Sequence, residues 1–150
     1  MPSPRAAKFV TVLSLLVLAA MGGLLVPQFR TTQRTLRENA LSADLSYLNQ
    51  VLRRFVDEHG GALPGMQDGL LDQDLLRRQL TLPTTSDGSI APNGSFGPYL
   101  KAGVPSNPMN GSNELKVVTS EVLPAPDGTT GWVLHVPTAR IYSNARAFER

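Results

Sequence analysis

The chain has no cysteine and only two histidines among its 150 residues. Without thiols, neither a disulfide framework nor a thiolate site is available. The histidines, His59 and His135, lie far apart and have no acidic residues at ligand spacing. They are therefore expected to be structural, one at a helix end and one in a strand, rather than metal ligands. No Gly-x-Ser-x-Gly elbow, phosphate loop or pair of carboxylates appears, so no catalytic or cofactor-binding site is expected and the chain reads as a non-enzyme. The net charge is +2, with no basic stripe suited to a nucleic-acid backbone. Asn93-Gly94-Ser95 and Asn110-Gly111-Ser112 match a glycosylation acceptor pattern but read more simply as turns.

What the sequence does have is concentrated in its first third. A short basic tip carrying Arg5 and Lys8 (residues 1–8) leads into an uncharged apolar run of 18 residues, Phe9 to Val26, followed by Pro27. A helix of that length spans roughly 27 Å, close to the hydrocarbon thickness of a bilayer. Three readings compete for this run: a retained anchor, a cleaved secretory signal and a buried core helix. A signal's apolar region is shorter, roughly 7–15 residues, and the remaining chain is too small to surround a core helix. A retained transmembrane anchor over residues 9–27 is the reading adopted. Arg5 and Lys8 precede the run while Arg30, Arg34 and Arg37 follow it, so charge counting gives nearly a tie for orientation. The short tip favours a cytoplasmic N-terminus. Pro27 removes a backbone donor at the junction and predicts a kink there.

After the anchor, Leu36, Ala40, Leu41, Leu45, Leu48, Val51, Leu52 and Phe55 recur at three- and four-residue steps. That spacing predicts an amphipathic helix over residues 28–60 with Arg37, Glu38, Asp44, Asn49, Arg53 and Asp57 on its other sides. His59-Gly60-Gly61 is a helix stop. The helix is expected to pack its lower stripe on the chain's own C-terminal part, with Leu36 beyond reach of that packing. Residues 61–150 hold most of the glycines and prolines, which predicts one loop-rich domain. A second helix is expected near Leu70–Leu80, capped by Asp68, with Leu71, Leu75 and Leu76 on one side. The stretch Thr81–Asn113 is rich in turn pairs. Strands are expected at Leu115–Thr119, Gly131–Val136 and Arg140–Ser143, the last two joined by Pro137-Thr138-Ala139. The fold class read from this pattern is α+β, a long N-terminal helix on a small antiparallel sheet. Leu45, Leu48, Leu52, Phe55, Trp132 and Leu134 are its expected core.

Five segments stand out: VPQF (Val26–Phe29), LSADLSYLNQVLRRFVDEHGGALPG (Leu41–Gly65), GPYL (Gly97–Leu100), VPSNPMNGSN (Val104–Asn113) and TTGWVLHVPTARIYSN (Thr129–Asn144). Together they resemble type IV pilin-like proteins, most closely the major pseudopilins of type II secretion. The loop residues Asn107, Pro108, Asn110 and Gly111, followed by the Gly131-Trp132 hairpin, are the more specific part. The resemblance covers about residues 26–144 and implies a single-pass bacterial inner-membrane subunit with a periplasmic pilin-like domain. Its implied partners are other pilin-like subunits or secretion-platform proteins, with no nucleic acid or small-molecule substrate. A membrane-tethered binding or scaffold module that does not polymerise is the alternative.

The start departs from the family pattern. Aligned on Pro27, the peptidase cleavage point falls between Arg5 and Ala6, so Arg5 stands where the family carries glycine. Val10 stands where the family carries glutamate. With the processing and methylation motif absent, a prepilin peptidase is expected to leave the chain uncut. Some major pseudopilins hold calcium in a loop near the C-terminal strands. Here Asp127, followed by Gly128, is the only acidic residue of Pro124–Gly131, whereas calcium takes roughly six to eight oxygens. No cofactor is expected.

Overall fold

The computed structural model describes residues 32–67 and 69–146. The apolar run, Pro27 and Asp68 lie outside the described residues. Among those described, no helix is long and apolar enough to cross a membrane. The chain divides into two compact units, Met1–Arg37 and Glu38–Arg150. In the first, residues 32–37 are helical and exposed.

The second unit is α+β. Helix α1 (32–58), which belongs to this unit from Glu38 on, ends where Gly60 takes φ 64°, and the Gly61 N–H donates to the Val56 carbonyl at 2.8 Å. Glycine occupies that left-handed position without the Cβ clash another residue would meet. A two-stranded ribbon follows, β1 (Met66–Gln67) and β2 (Leu70–Leu71). Helix α2 (Gln73–Thr81) comes next, then a long irregular stretch. The main sheet is β3 (Leu115–Val118), β4 (Trp132–His135) and β5 (Arg140–Ser143), in that spatial order.

Three local expectations are corrected. The sheet is mixed rather than antiparallel: β3 runs parallel to β4, with Leu115 opposite Trp132, while β4 and β5 are antiparallel. Strand patterning reports which face a residue takes, not the direction of pairing, and residues 119–131 supply the connection of about a dozen residues that a parallel pair needs. The second helix starts later, because Leu70 and Leu71 pair with β1 and Asp72 is the cap. The Asp72 carboxylate accepts from the N–H groups of Asp74 and Leu75 at 2.8 and 3.0 Å. The strand ends are also trimmed. Val136–Thr138 form a 3-10 turn closed by the Ala139 N–H on the Val136 carbonyl, with Pro137 at its second position.

The core forms where one face of α1 meets α2 and the sheet. Leu48, Val51, Leu52 and Phe55 are buried together with Leu76, Leu80, Tyr99, Leu100, Leu115, Trp132, Leu134 and Ile141. Leu41 and Leu45 are half-buried against this cluster. Of the residues read as one apolar stripe, Leu36 and Ala40 are exposed, Leu36 at 56 %. Trp132 is fully buried, and its indole N–H donates to the Pro105 carbonyl at 2.8 Å, so its one polar atom is satisfied.

Truncating a buried phenylalanine typically costs about 3–5 kcal/mol, a large share of the ~5–15 kcal/mol a domain has. In a chain shortened to begin at Thr31, Phe55→Ala is expected to lower the thermal midpoint sharply. Arg53→Ala and Leu36→Ala, at exposed positions, should leave it within a degree or two. A wild-type melt for Phe55→Ala would contradict the core assignment.

Candidate functional site

The residues of the Asn107–Gly111 loop fold onto the Gly131-Trp132 end of the sheet. Asn107 is fully buried. Its amide Nδ2 donates to the Gly131 carbonyl at 2.7 Å and to Ser143 Oγ at 2.8 Å, while its Oδ1 accepts from the Met109 N–H at 2.9 Å. The loop closes on itself through Asn107 N–H to the Ser112 carbonyl and Gly111 N–H to the Asn107 carbonyl. At Gly131 the two segments approach so closely that a Cβ would lie 2.0 Å from the Ser112 carbonyl oxygen, so only glycine fits. Asn110 is exposed; its Nδ2 donates to the Thr130 carbonyl and its Oδ1 accepts from the Ser112 N–H. Pro108 is half-buried beside them.

Asp127 sits in the connection between β3 and β4. Its carboxylate accepts from Lys116 Nζ and Asn144 Nδ2, both at 2.6 Å, and from the Thr129 hydroxyl and N–H at 2.7 and 2.9 Å. The Lys116 ammonium first, then Thr129 and Asn144, hold the carboxyl well below the usual carboxylate range. A depressed pKa gives stability that is complete above the unfolded value and lost only as pH falls through the folded one. The Asp127 carboxylate therefore stays ionised throughout the neutral and mildly acidic range. Asn144, itself buried, also donates to Thr130 Oγ1 and accepts the Gly128 N–H on its backbone carbonyl. Among the described residues, no three His, Cys, Asp or Glu side chains gather as a metal group would require.

Both histidines are buried and bonded at both ring nitrogens. His59 stacks on Phe55 with centroids 3.9 Å apart. Its Nδ1 lies 2.8 Å from the Phe55 carbonyl, which can only accept, so the network assigns the proton there and leaves Nε2 to accept from Thr84 Oγ1 at 3.0 Å. By the same logic His135 Nε2 donates to the Ser120 carbonyl at 2.9 Å and Nδ1 accepts from Thr138 Oγ1. Next to His59, the Tyr99 hydroxyl donates to Glu58 at 2.5 Å and Arg54 pairs with the same carboxylate at 2.9 Å. Burial, then the bond to Glu58, raises the Tyr99 phenol, while the Tyr99 hydroxyl lowers Glu58.

A residue that sequence reading put on the solvent side of α1 belongs to the fold's interior seam. Asn49 is half-buried, and its amide reads the edge of β5. Nδ2 donates to the Ile141 carbonyl and Oδ1 accepts the Ile141 N–H, each at 2.9 Å. Asparagine is a poor helix former, so its position among Leu45, Leu48 and Leu52 was the available signal. Along the same seam runs a groove of about 380 Å³ lined by Leu45 and Ile141, by Arg53 and Arg140, and by the polar side chains of Ser42, Ser46, Asn49 and Tyr142.

None of these groups pairs a free nucleophile with a base; every buried side-chain nitrogen and oxygen among the described residues has a partner. What the arrangement offers is a stiff surface built from loops pinned to a short sheet. No family model, curated protein or solved structure matches the chain.

The two asparagines of one loop should separate cleanly on mutation. Asn107→Ala strands buried backbone groups of Gly131 and Met109 and is expected to cost roughly 2–4 kcal/mol. Asn110→Ala, at an exposed position, should cost about 0.5–1 kcal/mol. Urea unfolding of both variants in the chain beginning at Thr31 checks this, and equal midpoints would refute the clamp.

Proposed function

We propose that this chain is a membrane-anchored, pseudopilin-like structural subunit of a type II secretion or type IV pilus-like apparatus. Its apolar run holds it in the bacterial inner membrane, and its domain stands in the periplasm beside other pilin-like subunits or platform proteins. The observation that carries this reading is the division of labour along α1. Residues 48–55 supply the core face, whereas residues 32–40 are exposed without exception. Residues 32–40 therefore present no side chain to the core of the domain, and neighbouring subunits would give this exposed stretch a role. The clamp between the Asn107–Gly111 loop and the Gly131-Trp132 hairpin supports the pilin-like reading of the domain, since these are the segments on which the resemblance rests.

A second reading, a tethered periplasmic scaffold or binding module that does not polymerise, is favoured by Arg5 and Val10 standing where glycine and glutamate belong in the family. In hydrocarbon a buried carboxylate is costly unless it meets a cation, so losing it removes a specific assembly contact as well as a penalty.

Both readings need the anchor. Carbonate-washed membranes should retain the full chain, whereas the chain beginning at Thr31 should be recovered in solution and folded. Recovery of the full chain in the soluble fraction, shortened near Gly23, would overturn the anchored reading in favour of a cleaved signal.

A further inference from the structure

The seam groove between α1 and β5 carries two arginines, Arg53 and Arg140, on its edges. Both are exposed, and neither makes an ion pair among the described residues. A guanidinium keeps its charge in proteins, so the groove sets two unpaired cations beside half-buried Leu45 within an otherwise mostly polar lining. Its walls are fixed, because Asn49 ties α1 to the backbone of Ile141. The groove is shaped for a side-chain pair with one apolar and one anionic member.

The chain carries such a pair at the end of β3. Val122 is 78 % exposed, more than any other large apolar side chain among the described residues, and Glu121 beside it is exposed and without an ion pair. They are presented on a held turn. The Ser120 hydroxyl donates to the Val122 carbonyl at 2.8 Å, and His135 Nε2 donates to the Ser120 carbonyl. Beside the next most exposed apolar side chain, Leu70 at 75 %, the acidic neighbour among the described residues is Asp72, whose carboxylate caps α2. Strands β3 and β5 are the two outer strands of the sheet. Knob and groove therefore belong to opposite edges, and one copy is able to give and receive at once.

We propose that Val122 and Glu121 of one copy seat in the α1–β5 groove of the next, Val122 on Leu45 and Glu121 between Arg53 and Arg140. The contact is heterologous, so it propagates copies head to tail instead of closing a dimer. It rests on the reading of the chain as a subunit that meets its own kind.

Since the chain has no cysteine, Val122→Cys and Ser46→Cys place the only thiols, one on the knob and one on the groove wall. The full chain, in lipid vesicles, is oxidised and run on a non-reducing gel. Chains carrying both thiols should give a ladder of oligomers, and a mixture of the two single-thiol chains should stop at dimers. Adding Glu121→Arg should cut the ladder about tenfold by turning attraction into like-charge repulsion, and Arg53→Glu with Arg140→Glu should restore it. A yield no greater than that of Val122→Cys alone, or of Leu70→Cys with Ser46→Cys, overturns the proposal, as does a ladder indifferent to Glu121→Arg. Leu36→Cys, on the exposed part of α1, separates the two levels of the argument. If it crosslinks while the knob and groove do not, the contact is wrong and the subunit reading stands; if neither crosslinks, both fall.

Discussion

The fold depends on one face of α1. Leu48, Leu52 and Phe55 are almost fully buried, and what they meet is the inner side of a three-stranded sheet presenting Trp132, Leu134 and Ile141. A sheet this small buries little apolar area by itself, and short sheets need a packed helix to be stable. The helix in turn draws most of its stability from packing its apolar face rather than from propensity. Each is the other's support, so losing the contact removes both. Asn49 adds direction to this otherwise non-directional packing: its two hydrogen bonds to Ile141 set where along α1 the edge of β5 must lie. They also satisfy backbone groups at an outer strand that would otherwise invite pairing with another chain.

The irregular part of the domain is held by a handful of polar hubs rather than by secondary structure. Asn107 fastens its loop to the sheet end, and Gln79 accepts the Gly65 N–H while donating to the Gly88 carbonyl. Asn144 and Lys116 gather on Asp127. These hubs are asparagine, glutamine or a bonded ion pair, the groups that can both donate and accept toward stray backbone atoms. They explain how a segment dense in glycine and proline keeps one conformation.

Much of this was legible in the sequence, and the parts that were not share a cause. The 3.6-residue period from Leu41 to Phe55 announced the helix, and two short runs joined by the Pro137-Thr138-Ala139 turn announced β4 and β5. Those signals are local. The parallel pairing of β3 was hidden because period two specifies a face and not a direction. Asp72 rather than Asp68 caps α2 because Leu70 and Leu71 are claimed by β1, a pairing that propensity does not report. Lys116 meets Asp127 only once the β3–β4 connection has crossed over, so no spacing rule could have joined them. Asn49 looked like a solvent-side residue because a helical wheel assumes one buried face, whereas the edge of a strand adds a second.

Functionally, one segment of α1 folds the domain and another does not. Core side chains begin at Leu48, with Leu41 and Leu45 half-buried ahead of them, while 32–40 carries none. Hydrogen exchange of the full chain, dispersed as monomers in detergent, tests this most directly. The account predicts that amides of 48–58 exchange only through global unfolding, with the slowest rates of the domain, while those of 32–40 open independently and far faster. Protection of 32–40 equal to that of 48–58, or rapid exchange throughout 48–58, would contradict it.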